Sequence, residues 1–162
     1  AGPFPGARIA MVGTVEKWLD ELPALDVEER LRSALAISRS NDSEAGGTSV
    51  GLQKSDLAVQ HIPSGSEAGR CSSGEQKALL VRIMLAATYL QAKERKRAPI
   101  LLLDEIGAHL DAIRRTALFE MIIDMGVQAW MTGTDELMFK SLENRVQHFY
   151  ISNAQVVRNT FQ

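Results

Sequence analysis

Two adjacent carboxylates, Asp104 and Glu105, directly follow the aliphatic residues 100–103. An uninterrupted aliphatic run of this length is typical of a strand that is buried on both faces of a parallel sheet. Ligands bind at the carboxyl edge of such sheets, which is where these two side chains would lie. Asp104 is suited to hold Mg²⁺ through water, and Glu105 to orient or deprotonate an attacking water molecule. The alternative is a strand that turns polar on leaving the core.

Ser72, Ser73 and Gly74 precede a long run of helix-forming residues. Ser72 with Glu75, and Ser73 with Gln76, have the spacing of a capping box. A helix N-terminus presents unpaired N–H groups and the positive end of the helix dipole, which together attract anions such as phosphate. Gly74 would let a phosphate approach the backbone closely. An ordinary helix cap without a ligand is the simpler interpretation of these residues taken alone.

In this order and at this spacing, the two features resemble those of ABC-type ATPases. They are most similar to the RecF family of bacterial DNA replication and repair proteins. Residues 71–80 resemble the signature motif, residues 101–105 a Walker B strand and residues 107–111 a D-loop. Residues 130–135, which span the end of the next strand and the turn after it, are also similar to the family. The resemblance covers residues 50–157 well and the first fifty residues more weakly.

The resemblance implies an α/β fold, namely the C-terminal part of an ABC-type P-loop ATPase. Such a part has a mostly parallel sheet flanked by helices, a C-terminal β-hairpin and, in this chain, an N-terminal helical piece. ATP and Mg²⁺ are the implied cofactors, with Asp104 as the metal ligand and Glu105 as the catalytic residue. The residues implied to bind the ATP held by a second subunit are Ser72, Ser73, Gly74 and Asp111.

The same resemblance implies partners and a location. The expected partners are DNA at single-strand gaps or single/double-strand junctions, a second copy in an ATP-dependent homodimer, and recombination mediator proteins. The implied function is to help load recombinase at single-strand gaps. We expect a cytoplasmic protein without a membrane partner, since no apolar run approaches the length of a membrane span. The lone Cys71 also fits a reducing compartment.

The sequence departs from the expected pattern in three places. It lacks the Gly-rich phosphate loop, because Lys54-Ser55 is preceded by Gln53 rather than Gly. The simplest interpretation is that the chain is the C-terminal portion of a longer protein and is inactive alone. The second departure is Gly133-Thr134, which stands where many ABC ATPases place a switch histidine. That departure implies slow ATP hydrolysis, and the resemblance implies that hydrolysis by the intact protein depends on DNA. The third departure is Leu52-Gln53, where the family usually shows Pro-His.

Two other functions stay open at this point. A non-catalytic interaction module with the ABC fold would bind no nucleotide even as an intact protein. An ATPase subunit of a membrane transporter would carry a Leu-Ser-Gly-Gly-Gln signature and a switch histidine, and neither is present in this sequence. The transporter function is therefore the weaker of the two.

The charge of the chain is unevenly distributed. The formal net charge is −2, but residues 63–97 hold seven Lys/Arg against three Asp/Glu. The densest cationic run, residues 93–97, would neutralise DNA phosphates or complement the dipole at the end of a helix. The proposed phosphate-binding cap, residues 72–74, also lies within this basic segment.

The periodicity of apolar residues predicts the elements that position these side chains. We expect helices at residues 8–22, 26–39, 74–95 and 111–125, and strands at residues 56–62, 100–103, 127–132, 146–151 and 155–158. The third helix is apolar around most of its circumference, which predicts burial between two layers. We predict two domains. Residues 1–45 would be the remaining part of a helical subdomain, and residues 46–162 an ABC-type ATPase lobe. The lobe would contain the signature, Walker B and D-loop motifs but no Walker A motif.

Overall fold

A computed structural model of the protein describes residues 2–95, 97–105, 110–142 and 145–160. The chain divides into two compact units. The first unit is Gly6–Cys71, and the second unit combines Ala1–Pro5 with Ser72–Gln162. All of the site residues predicted from the sequence belong to the second unit.

The first unit is built on an antiparallel strand pair and two helices. Its elements are β1 (Ala7–Val12), α1 (Thr14–Glu21), α2 (Ala24–Ala45) and β2 (Asp56–His61). Ala7 pairs with His61 at one end of the ladder, and Val12 pairs with Asp56 at the other. The two helices are joined by a cation–π contact, in which the guanidinium carbon of Arg30 lies 4.6 Å from the centre of the Trp18 ring.

The prediction of a single helix over residues 8–22 is wrong in its first half, because Ala7–Val12 forms strand β1. The hydrogen bonds of β1 are made with β2, which is distant in sequence, so local periodicity could not reveal them. α2 is also longer than predicted and ends at Ala45, where Gly46 adopts a left-handed φ of 71°. The proposed domain division at residues 45 and 46 stays a prediction.

The second unit contains a parallel strand pair and a C-terminal hairpin. Its elements are α3 (Ser73–Arg95), β3 (Leu101–Leu103), α4 (Ala112–Asp124), β4 (Ala129–Met131), a 3₁₀ helix (Glu136–Leu142), β5 (His148–Ser152) and β6 (Gln155–Thr160). β3 and β4 run parallel, and Leu103 lies opposite Met131. β5 and β6 are antiparallel, with an irregularity between Tyr150 and Ile151. This combination confirms the α/β class and the terminal hairpin.

The core of the second unit lies on one face of the β3–β4 pair. Leu101 and Leu103 point into it, and both are buried. Helices α3 and α4 cover this face, so a single layer of helices meets the strands there. The core is formed by Phe4, Ala78, Val81, Leu85, Leu101, Leu103, Leu110, Leu118, Phe119, Ile122, Val127 and Leu142.

Burial on all sides was predicted for the strand at residues 100–103 and for the long helix, and both predictions are wrong for this structure. Leu102 is 77% exposed and its neighbour across the strand pair, Trp130, is 52% exposed. α3 likewise leaves Leu80 and Leu90 more than half exposed. Alternate strand residues face opposite sides of a sheet, and a run of aliphatic residues does not specify which side another layer covers.

An ion pair connects α4 to the segment after the 3₁₀ helix. Two guanidinium nitrogens of Arg145 donate to the Glu120 carboxylate, at 3.0 and 2.6 Å. The hydrogen bonds from Arg145 lower the pKa of Glu120, and those to Glu120 raise the pKa of Arg145. Both side chains are partly exposed, so solvent screens the attraction and the contribution to stability is modest.

Arg145→Gln is expected to lower the melting temperature by a few degrees near pH 7 and to have little effect near pH 3. Because folding lowers the pKa of Glu120, the ion pair stabilises the protein above the unfolded-state pKa of about 4.5 and stops doing so as the pH falls through the folded-state pKa. Thermal unfolding at several pH values measures this. The Glu120→Gln/Arg145→Gln double variant should lose no more than either single variant. An equal loss for Arg145→Gln at both pH values would contradict the expectation.

Candidate functional site

The N-terminus of α3 is closed by a reciprocal cap. The Ser72 hydroxyl and the Ser72 backbone N–H donate to Oε2 of Glu75, at 2.8 and 2.9 Å. The Glu75 backbone N–H in turn donates to Ser72 Oγ at 3.3 Å. The capping box predicted for Ser72 and Glu75 is therefore present, and Ser73 is the first residue of the helix.

Space is available beside this cap. Ser72 and Ser73 are exposed, and Gly74 is half-buried. A Cβ atom added at Gly74 would meet no described atom within 4 Å. Packing within the chain therefore does not require glycine at this position. The open backbone leaves room for a ligand to approach, as an anion-binding role would require.

The predicted carboxylates lie at the carboxyl edge of the parallel strand pair, where they meet a third residue, Thr132. The Thr132 backbone N–H donates to the carbonyl of Leu103 at 3.0 Å and extends the pairing of the two strands by one residue. The Thr132 hydroxyl donates to Asp104 Oδ1 at 2.5 Å. It accepts from the Glu105 backbone N–H at 2.9 Å. We call Asp104, Glu105 and Thr132 the carboxylate edge.

Glu105 has a left-handed backbone conformation, with φ at 46°. This region is unfavourable for residues other than glycine, and such strain is concentrated at functional sites. A glutamate therefore occupies a position where the backbone conformation alone would favour glycine. This combination is consistent with a role for the carboxylate that is separate from stability.

Glu105→Gly is expected to be more stable than Glu105→Ala by about 1 kcal/mol, because glycine adopts a positive φ without a steric penalty. Both substitutions remove the carboxylate, so their difference isolates the backbone effect. Urea unfolding of the two variants gives the two free energies of unfolding. Equal stability of the variants would show that Glu105 is not strained in solution.

Asp111 caps α4, a common position for aspartate. Its Oδ1 accepts from the Arg114 backbone N–H at 2.8 Å, and its Oδ2 lies 3.7 Å from the Arg114 guanidinium. The side chain is exposed. The rest of the predicted D-loop, at residues 107–109, lies outside the described residues. The predicted nucleotide contact of Asp111 therefore stays a prediction.

The residues present fit a magnesium ion only in the company of phosphate. Among the described residues, no three His, Cys, Asp or Glu side chains form a group that could hold a metal ion. Asp104 would supply a single carboxylate, exposed at the edge of the sheet. Mg²⁺ is commonly bound by one or two carboxylates together with waters and the phosphates of a substrate. The carboxylate edge would supply the carboxylate part of such a ligand set.

Thr132 is the site residue that sequence reasoning missed. The sequence directed attention to Gly133 and Thr134 as replacements for a switch histidine. A Cβ at Gly133 would lie 3.0 Å from the Phe139 ring, so packing explains that glycine. The parallel register places Thr132 one residue beyond the Leu103–Met131 pair, beside Asp104. Knowledge of the strand pairing would therefore have identified it.

The basic run at residues 93–97 covers the end of α3. Lys93, Arg95 and Arg97 are exposed, and residue 96 lies outside the described residues. Their position allows either contact with DNA phosphates or compensation of the helix dipole.

In the part of the chain that the structure describes, no helix has both the length and the apolar character needed to cross a membrane.

Comparison with curated protein sequences gives matches to proteins that share one name. No protein-family model matches the chain. The chain is similar to proteins named DNA replication and repair protein RecF from Mesorhizobium japonicum (48% identical over 155 residues), Rhizobium etli (46% over 156) and Brucella abortus (46% over 155). Each match covers 96% of this chain but only 40–41% of the relative. The chain thus spans about two fifths of the length of the curated relatives it matches.

The fold is also similar to that of solved structures. One of these is described as the recombination mediator protein RecF-ATPrS in the RecFOR pathway, and it matches with a TM-score of 0.66 and 20% sequence identity. The match covers 94% of this chain and 39% of that chain. At this level of identity the likeness establishes the fold.

Proposed function

We propose that this chain is part of the RecF family of DNA replication and repair proteins, matching its C-terminal portion, and that it supplies half of an ATP-hydrolysing site. The observation that carries the proposal is the carboxylate edge. Asp104 and Glu105 lie side by side at the carboxyl end of β3, held by a residue from the neighbouring parallel strand. Ligands of open α/β sheets bind at this edge.

The two carboxylates have different proposed roles. Asp104 would hold Mg²⁺, and the bound ion would neutralise negative charge on the nucleotide phosphates. Glu105 would orient the attacking water and accept its proton. Both side chains are exposed, so nucleotide and water can reach them. The phosphate loop needed to complete the site would come from outside this chain.

The N-terminus of α3 would act on a second ATP site. Ser72, Ser73 and Gly74 lie at the positive end of a 23-residue helix, where the hydroxyl and N–H of Ser72 are bonded to Glu75 and would have to change partner to meet a nucleotide. We propose that this surface meets the nucleotide bound to another copy, together with Asp111. ATP would then hold two copies together as a homodimer.

DNA at single-strand gaps or at single/double-strand junctions is the proposed nucleic-acid partner, with recombination mediator proteins as protein partners. Support comes from the function named for the relatives and from the excess of Lys/Arg at residues 63–97. Binding that rests on phosphate contacts should weaken steeply as salt is raised. The proposed role is to help load recombinase at such gaps.

The proposal is tested by comparing the chain alone with a chimera. In the chimera, this chain replaces the matched portion of the Mesorhizobium japonicum relative, which shares 48% identity with it. Calorimetry should detect no ATP·Mg²⁺ binding by the chain alone up to millimolar nucleotide, and clear binding by the chimera. The chimera should also hydrolyse ATP slowly and bind gapped DNA. A folded chimera that binds no nucleotide would instead indicate a non-catalytic interaction module.

Ser72→Arg in the chimera is expected to abolish ATP-dependent dimerisation while leaving ATP binding by the monomer intact, because a large cation would obstruct the surface that meets the second nucleotide. Ser72→Ala is the matched control. It removes the same cap hydrogen bonds but adds no volume, so the dimer should still form. Light scattering with and without ATP measures the assembly. An ATP-dependent dimer of Ser72→Arg would exclude this surface from the interface.

A further inference from the structure

We propose that Thr132 is a positioning residue of the carboxylate edge, whose hydroxyl holds Asp104 and the backbone of Glu105 in the arrangement that metal and water require. The inference rests on the proposed ATPase function and adds a residue from β4 to it. Thr132 contacts both carboxylate residues at once, through one oxygen atom. This oxygen therefore links the carboxylate proposed to bind metal to the backbone N–H of the residue proposed to orient water.

The polarity of this small network is fixed by chemistry. The Glu105 backbone N–H can only donate, so it occupies a lone pair of the Thr132 hydroxyl. An ionised carboxylate can only accept, so the single hydroxyl proton must go to Asp104 Oδ1. This hydrogen bond fixes the orientation of the Asp104 carboxylate, whose remaining lone pairs would be available to a metal ion or to a metal-bound water.

Two features make Thr132 a stiff support. Its backbone N–H is bonded to Leu103 at the end of the strand pair, which anchors its main chain. Its β-branched side chain has few χ1 alternatives, so the hydroxyl stays directed at its two partners. The hydroxyl also satisfies the N–H of a residue in a left-handed conformation, with φ at 46°. Thr132 thus supports the backbone where it is strained.

The first test uses the 162-residue chain alone and needs no nucleotide. Hydrogen exchange of the Glu105 amide, followed by NMR, should be accelerated about 10-fold in Thr132→Val, since the net strength of one hydrogen bond is lost. Thr132→Ser keeps the hydroxyl and should retain most of the protection. Thr116→Val, at an exposed threonine on α4, is the matched control and should leave this amide unchanged.

The second test measures metal binding in the chimera. Mn²⁺ is titrated by electron paramagnetic resonance in the presence of a non-hydrolysable ATP analogue. Thr132→Val should weaken Mn²⁺ binding by about 10- to 100-fold, the effect typical of groups that orient a metal ligand. Thr132→Ser should restore affinity to within about threefold of the original, because the hydroxyl is retained. Affinity for the analogue without metal should not change.

The outcomes separate this inference from the proposed function. Unchanged Mn²⁺ affinity in Thr132→Val would overturn the positioning role, as would a Thr132→Ser variant as defective as Thr132→Val. Unaltered Glu105 exchange in Thr132→Val would overturn the hydrogen-bond network itself. A chimera that binds neither nucleotide nor metal would count against the proposed ATPase, and the exchange experiment would then decide whether the network exists.

Discussion

Glu105→Gln in the chimera is expected to reduce ATP turnover by about 10²- to 10⁴-fold, the range associated with loss of a general base. The amide keeps the volume of the side chain and the same backbone requirement at φ of 46°, and only the charge and basicity are lost. ATP binding should persist, so the ATP-bound dimer should accumulate. Steady-state hydrolysis and light scattering measure the two effects.

A matched control for this variant is Glu44→Gln, which removes an exposed carboxylate from α2 in the first unit. Its turnover should equal that of the parent chimera. Hydrolysis that continues at the parent rate in Glu105→Gln would remove Glu105 from the role of base. The carboxylate edge would then keep only its proposed metal-binding part.

Phe119→Ala is expected to lower the free energy of unfolding of the chain by about 3–5 kcal/mol. Phe119 is only 1% exposed and packs against the Phe139 ring, with 6.0 Å between ring centres. Removing the ring forfeits its burial and leaves a cavity between α4 and the 3₁₀ helix that neighbouring side chains fill only partly. Urea unfolding followed by circular dichroism measures the loss.

Ile113→Ala is the control on the same helix, because Ile113 is 78% exposed. Its effect should fall within about 0.5 kcal/mol of zero, as for most surface substitutions. Equal effects of the two substitutions would mean that the core around Phe119 is not packed in solution as the structure shows.

Local features of the second unit were predicted well from the sequence. The Ser72–Glu75 capping box and the extent of α4, predicted at residues 111–125 and found at Ala112–Asp124, depend on contacts within a few residues. The hairpin of β5 and β6 has the same origin, since its short link brings the two strands together. These features are readable because the interacting residues are neighbours in the chain.

The errors in the predicted fold share a different cause. Apolar periodicity predicts a helix over residues 8–22, but residues 7–12 form β1, because the partner strand β2 that fixes this conformation lies far along the chain. Leu102 and Leu80 were expected to be buried because they are aliphatic, although both are exposed. Pairing and layer contacts over long distances in sequence decided these points, and periodicity within one segment carries no information about them.

The candidate site could be predicted from the amino-acid sequence alone: two carboxylates follow an aliphatic strand, and a capped helix start has a glycine beside it. Residue type and short-range spacing are sufficient for that. Only the tertiary structure decided that Thr132 joins Asp104 and Glu105, and that Glu105 has a left-handed backbone. The physical reason is that β3 and β4 must pair in parallel before residues 104 and 132 can share a hydrogen bond.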